Sequence, residues 1–230
     1  MVFLRPWKLS VTNRIITIDG PAGTGKSTVA KEIATRLGFV YLDTGALYRA
    51  SALKIYSSGV DPEQEKDCVR IVSASNISIS EGKTFVDGKD VSEEIRSSHI
   101  GELASRIATF PRVREELIKI QRSIALLSSV VAEGRDTGSV VFPDADVKVF
   151  LDATETERAR RRHTELLAKG YNVDFNEVLA DIRRRDSRDK TRDVSPLVVP
   201  TGAVVVDTTH LTLEQVVSKL LKVIKMRLTD

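Results

Sequence analysis

A chain of 230 residues, 41% apolar and 29% charged, has the length of one α/β domain with insertions and the composition of an ordinary soluble globular protein. No apolar run reaches the roughly eighteen residues of a membrane span, and Arg5, Pro6 and Lys8 interrupt the apolar start Met1–Leu9, which argues against a secretory signal. The single Cys68 excludes an internal disulfide and reads as a small core residue. No Cys/His cluster suggests zinc, and His99, His163 and His210 are isolated, so the expectation is a cytoplasmic protein.

Met1–Asn13 reads as a loose lead-in, with Trp7 packing on the body. Ile15–Ile18 is a β-branched run ending at Asp19 and predicts a buried strand. It leads into Gly20–Ser27, GPAGTGKS, which fits the phosphate-loop spacing of Gly, four residues, Gly, Lys, Ser/Thr. Val29, Ile33 and Leu37 then recur at helical spacing before Gly38. Strand, glycine-rich turn and helix form the setting in which backbone N–H groups and a helix N-terminus meet phosphate. In that setting Lys26 reaches the β/γ-phosphates and Ser27 holds Mg²⁺. The motif fixes a nucleoside triphosphate but not the task.

Phe39–Leu42 predicts a second strand, ending at Asp43-Thr44-Gly45, and the helix that follows carries Tyr48 and Arg49. The carboxyl end of a parallel strand borders the ligand crevice, so Thr44 and Arg49 belong near the phosphate loop. Between Gly59 and Glu94 the pattern changes. Asn76–Ser80 and Lys83–Val86 alternate around Glu81-Gly82, and Asp87-Gly88 is a second turn signal, which together predict a small antiparallel insert. Glu93–Phe110 reads as one helix with Ile100, Leu103, Ala104 and Ile107 on one side, broken by Pro111. The next helix carries Val113, Leu117, Ile120 and Ile124.

Ser129–Ala132 predicts a third strand leading into Glu133-Gly134-Arg135-Asp136, where functional residue types crowd a strand end. Val147–Leu151 is the fourth strand. Thr154 and Glu157 form a capping box that opens an arginine-rich helix ended by Gly170, and Asp174 with Glu177 opens another. Arg185, Arg188, Asp189 and Arg192 share a face of that second helix. Val204–Val206 is the fifth strand. Thr212 and Gln215 cap a final helix with Leu213, Val216, Val217, Leu220 and Ile224 inward. Strands alternating with helices in this way imply a three-layer α/β domain with a parallel sheet.

The net charge of +3 is unevenly placed: Arg158–Arg192 holds nine arginines and two lysines against six acids, a local +5. Such clustering fits nucleic acid, an anionic small ligand or a solvated helix face. Tyr171 and Phe175 sit in the link between the two arginine groups and do not interleave with them, so nucleotide phosphate is the better reading. Like charges without partners predict a segment that is mobile until ligand binds. A guanine-reading Asn-Lys-x-Asp and an Asp-x-x-Gly are both missing from the sequence, which excludes a GTPase switch.

Five blocks carry a resemblance over Ile16 to about Leu221: IDGPAGTGKST at 18–28, LDTGALYR at 42–49, ASRIATFPRVRE at 104–115, EGRDTGSVVFPDA at 133–145 and RRDSRDKTR at 184–192. In this order they resemble the bacterial-type cytidylate kinases, within the nucleoside monophosphate kinase group of P-loop proteins. Another monophosphate kinase is the nearest alternative. The resemblance implies a P-loop nucleoside monophosphate kinase fold: a five-stranded parallel sheet, a small antiparallel insert and a helical lid, all in a single domain over 1–230. The core would span about 14–58, 112–153 and 195–230, the monophosphate-binding insert about 59–111, and the lid about 154–194.

It further implies transfer of the γ-phosphoryl group of ATP to CMP and dCMP, with Mg²⁺ as cofactor. The enzyme would be a monomer acting on small molecules, with neither nucleic acid nor membrane as partner. Gly20, Pro21, Ala22, Gly23, Thr24, Gly25, Lys26, Ser27 and Thr28 would bind ATP, covered by Arg161 and Arg162. Thr44, Tyr48, Arg49 and Arg135 would surround the acceptor phosphate, while Ser105, Arg114 and Asp136 meet the cytosine. Arg185, Asp189 and Arg192 would contact ribose or phosphate, with Arg188 nearby. Lys26, Arg135 and Arg188 form the implied catalytic set, Ser27 holds Mg²⁺, and Glu133 holds it through water. Asp136 with Arg114 suits the donor and acceptor edge of cytosine, and a salt bridge supporting the loop is the other reading. Two positions depart from the family pattern: Thr44 stands where Ser is common, and Glu133 where Asp is common.

Overall fold

The computed structural model describes residues 13–80 and 82–229. Trp7, with the rest of Met1–Thr12, and Glu81 of the expected turn lie outside the described residues. The first strand, β1 (Ile15–Asp19), runs into the phosphate loop and then α1 (Lys26–Leu37), which stops at Gly38 as its sequence predicts. β2 (Val40–Asp43) passes without a loop into α2 (Thr44–Ser57), whose first turn is capped by Asp43 accepting from the Ala46 N–H. Further along lie β6 (Val130–Gly134), β7 (Val147–Asp152), the helices α6 (Glu155–Ala168) and α7 (Phe175–Thr191), β8 (Val204–Asp207) and α8 (Leu213–Thr229).

The five long strands form one parallel sheet in the order β2-β6-β1-β7-β8. Strand alternation divides its two faces. Ile16, Ile18, Val131, Val149 and Leu151 pack with Val29 and Ile33 of α1 and with Val217 and Leu220 of α8. On the other face Leu42, Val130 and Ala132 pack with α2 and with α5 (Pro111–Leu127). The register sets Asp19 opposite Gly134 and Asp43 opposite Glu133. Three strand ends therefore deliver the phosphate loop, Thr44 and the Glu133–Asp136 segment to one edge.

The residues between α2 and α5 contain α3 (Glu65–Ser73), the antiparallel sheet β3 (Ile77–Ser80), β4 (Lys83–Val86) and β5 (Lys89–Asp90), and α4 (Ser98–Ile107). They share a single apolar cluster with the sheet, running from Leu42 and Leu117 through Cys68, Val72, Ile77 and Ile95 to Ile107. Several expectations change here. The helix α3 was not anticipated, although Cys68 and Val72 stand at helical spacing and are buried. The single helix expected over Glu93–Phe110 is a short tight turn, Glu94–Arg96, followed by α4. Ser97 separates them because its hydroxyl caps α4 through the Ile100 N–H. Asn13, placed in a loose lead-in, instead donates to the Leu126 carbonyl at 2.8 Å and so satisfies the exposed end of α5. Leu213, expected inward, is 44% exposed, because it opens α8 outside the stripe that meets the sheet.

The caps read from sequence are present: Thr154 accepts from Glu157 N–H, Asp174 from Asn176 and Glu177 N–H, and Thr212 and Gln215 bond reciprocally. The helices α6 and α7 hold a small apolar cluster of their own around Ala159, Val178 and Ile182. Among the described residues no helix is long and apolar enough to cross a membrane. The division at α8 is open to test. Leu220→Ala removes a fully buried side chain and should cost about 2–5 kcal/mol. Leu213→Ala should cost a small fraction of that. Urea unfolding midpoints at unchanged m-value measure both.

Candidate active site

The phosphate loop is shaped by what lies behind it. At Gly20, φ is +147° and an added Cβ would stand 2.0 Å from the Leu151 carbonyl oxygen, so only glycine lets the chain turn away from β7 there. Thr24 closes the loop by donating to the Pro21 carbonyl at 3.2 Å. Lys26 folds back on the same carbonyl, Nζ to O 2.6 Å. Burial, then the nearby Arg135 charge, lowers the Lys26 pKa to about 7. An ammonium group in that state gains most from an anion.

Beside the loop, the Ser27 hydroxyl donates to Glu133 Oε1 at 2.5 Å and the Tyr41 hydroxyl donates to the same oxygen at 3.1 Å. Burial and the Asp43 carboxylate push the Glu133 pKa up. A hydroxyl and two neighbouring carboxylates are hard oxygen donors, and a shared negative charge is what a divalent cation relieves. This donor set fits Mg²⁺, which takes few protein ligands and keeps waters and phosphate oxygens for the rest.

Two cavities open on the sheet edge. The first, of about 170 Å³, is lined by every residue assigned to the monophosphate: Thr44, Tyr48, Arg49, Ser105, Arg114, Arg135, Asp136, Arg185, Asp189 and Arg192. The second, of about 480 Å³, is lined by Ala22, Gly23, Gly25, Lys26 and Thr28 of the loop, and by Arg161 and Arg162. Gly20, Pro21 and Thr24 form the floor of the loop and do not line the cavity, and Ser27 faces Glu133. Arg49, Arg135 and Arg185 line both cavities. They stand where the two meet.

The charges at this junction are unevenly compensated. Burial opposes the Arg135 charge, but its Nε donates to Asp189 Oδ2 at 2.7 Å and that carboxylate wins, raising the Arg135 pKa. For Arg185, burial and then Arg135 lower the pKa to about 10. Burial and then Arg96 lower that of Arg49, whose Nη1 donates to the Ile95 carbonyl at 2.9 Å. In the first cavity Asp136 is gripped by Arg114 and, at 3.4 Å, by Arg192. The Tyr48 hydroxyl is buried there with no hydrogen-bond partner among the described residues, and burial raises its pKa to about 12. Thr44 is turned inward and donates to the Glu133 carbonyl at 2.7 Å.

Arg188 differs from its expected place. It is exposed, lines neither cavity, and donates to the Ser105 hydroxyl at 3.0 Å. Arg185, one turn earlier on α7, occupies the junction in its stead. The expectation that the +5 stretch lacks partners also fails: Arg158 pairs with Asp186, Arg160 and Arg161 with Glu157, Arg162 with Glu165, Arg183 with Glu155 and Arg184 with Asp181. Sequence reading missed Tyr41, Asp43 and Asp19. Asp19 accepts from the Thr137 N–H and hydroxyl at 2.8 and 2.5 Å and from the Gly138 N–H at 2.7 Å. Its place at the end of β1 was the available signal, since acids at strand ends border the crevice.

A family model described as Cytidylate kinase matches residues 16–226. The cytidylate kinase of Caldanaerobacter subterraneus subsp. tengcongensis is 50% identical over 210 residues, covering 91% of this chain and 94% of that protein. The cytidylate kinase of Clostridioides difficile is 44% identical, covering 93% of this chain and 99% of its own. Among solved structures, an uncharacterized protein from Eubacterium ventriosum matches at a TM-score of 0.54 and 13% identity over 93% of this chain and 99% of its own, a likeness of fold alone. Matched by the family model over residues 16–226 and by relatives 44–50% identical over more than nine-tenths of its length, the chain belongs to the cytidylate kinase family.

Proposed function

We propose that this chain transfers the γ-phosphoryl group of ATP to CMP, and to dCMP, giving ADP and the cytidine diphosphate. One observation carries the reading: the phosphate-loop cavity and the Asp136 cavity meet at Arg49, Arg135 and Arg185. Two phosphate groups that repel each other in water would be held end to end there. The attacking oxygen belongs to a phosphate already ionised at neutral pH, so positioning and charge neutralisation suffice without a general base. Arginine suits this work because its planar fork binds phosphate oxygens in pairs and keeps its charge.

Lys26 would leave the Pro21 carbonyl for the transferring phosphoryl group, and the loop N–H groups would hold the β-phosphate. Ser27 directly and Glu133 through water would hold Mg²⁺, which when bound supplies further positive charge to the phosphates. Arg185, rather than Arg188, is the third arginine of the transfer site in this reading. Arg161 and Arg162 on α6 would cover the triphosphate and limit access of water as an acceptor. The enzyme would work as a cytoplasmic monomer on free nucleotides, without nucleic acid or membrane partners.

The donor half is tested by Lys26→Ala. It should lower kcat with CMP by at least about 10²-fold at an unchanged unfolding midpoint. A folded variant with normal turnover would remove the phosphate loop from the reaction. The acceptor half turns on Asp136, which can take the N4 amine of cytosine while Arg114 or Arg192 donates to N3 or O2. Uracil presents the opposite pattern and leaves buried groups unpaired at about 1–3 kcal/mol each, so kcat/KM for CMP should exceed that for UMP by at least about tenfold. Asp136→Asn should depress CMP turnover far more than UMP turnover. An equal loss of both would make Asp136 only a partner of its two arginines.

A further inference from the structure

Arg158 lines neither cavity, yet it stands between the phosphate loop and α7 and is almost fully buried. Its Nε donates to the Ala153 carbonyl at 3.0 Å, and its Nη1 donates to the Ala22 carbonyl of the phosphate loop at 2.9 Å. The same Nη1 lies 2.5 Å from Asp186 Oδ2 on α7. Gly23 rests directly against it: an added Cβ there would be 3.0 Å from the Arg158 Cβ and carbonyl oxygen. Asp186 is equally buried, and apart from the Arg158 ion pair its carboxylate oxygens have no partner among the described residues. Buried ions of this kind depend on each other, because neither has water to fall back on.

On α7, Asp186 adjoins Arg185, which lines both cavities, and lies one turn before Asp189, which holds Arg135. The buried pair therefore joins the loop that receives the donor phosphates to the helix that carries the acceptor side of the junction. We infer that Arg158 and Asp186 are positioning residues that couple the two nucleotide sites. A displacement of Ala22–Gly23 on triphosphate binding is passed through the pair to α7, and so to Arg185 and Arg135. The inference rests on the donor and acceptor assignment proposed above.

A purely structural role predicts something different. Buried ion pairs can commonly be replaced by apolar residues of similar volume without loss of stability, and such a replacement should then restore everything. The test is calorimetric titration of the full-length protein with CMP, with and without a non-hydrolysable ATP analogue and Mg²⁺. It is run on the wild type, on Asp186→Asn, and on the double variant Arg158→Met with Asp186→Leu. In the wild type the analogue should tighten CMP binding by at least about fivefold, and CMP should tighten the analogue equally.

In the double variant, folded by its unfolding midpoint, each nucleotide alone should still bind while the coupling falls below about twofold. Asp186→Asn, if it folds, should behave alike. Coupling retained in the folded double variant, or no coupling in the wild type, would overturn the inference. A double variant that cannot fold would assign the pair to stability and overturn it too. Failure of the wild type to bind CMP at all would instead defeat the proposed function, and this inference with it.

Discussion

The site is built on a cost: several cations are buried around two connected cavities with too few acids to neutralise them. Lys26 is lowered to about 7 and Arg185 to about 10 by burial and by the Arg135 charge. Acids are present, but three of them are taken up by arginines that they hold in place. Asp189 takes Arg135, Asp136 takes Arg114 and Arg192, and Asp186 takes Arg158. A polyanion at the junction would relieve the strain on every free cation at once. That is how a protein turns folding free energy into affinity for a second phosphate beside the first.

The fold makes this cost bearable by fixing where the cations sit. Parallel pairing of β1 with β6 brings Asp19 opposite Gly134, and the segment after β6 then closes in a wide helical turn at Thr137–Val141. Asp19 is fully buried, and burial pushes its pKa up. Three hydrogen bonds from Thr137 and Gly138 work against that. Gly138 belongs to the clamp sterically as well, since an added Cβ would lie 2.6 Å from the Thr17 hydroxyl oxygen. Arg135 and Asp136 stand immediately before this clamp, so the loop bearing them is anchored to the strand that ends in the phosphate loop.

Much of this was legible in the sequence because the signals were local. The phosphate-loop spacing, the β-branched strands and the caps at Thr154, Asp174 and Thr212 are decided by neighbours a few residues away. What was not legible depends on which element packs against which. The spacing of Arg185 and Arg188 puts both on one helical face, and only the placement of α7 over the sheet edge decides that Arg185 enters the junction while Arg188 meets Ser105. Tyr41 was readable as a strand residue, but its contact with Glu133 follows from β2 pairing with β6. The helix α3 was hidden by its brevity, with Cys68 and Val72 its only fully buried side chains.

Counting charge misled in a way that is physically instructive. A local +5 says nothing about pairing, and the arginines of α6 and α7 are interleaved with acids at three- and four-residue spacings. Exposed pairs of that kind contribute only about 0–1 kcal/mol each, so they remove the repulsion without fastening the helices to the body. The fastening is elsewhere. Arg158 donates to the Ala22 carbonyl and forms an ion pair with Asp186, and Arg161 donates to the Thr208 carbonyl at 2.6 Å, both arginines lying in the first half of α6. Beyond them, Arg162 in α6 and Lys169 at its C-terminal cap both pair with Glu165 of the same helix. The free energy that holds α6 to the core is thus concentrated at its phosphate-loop end, where a bound triphosphate would act on it directly.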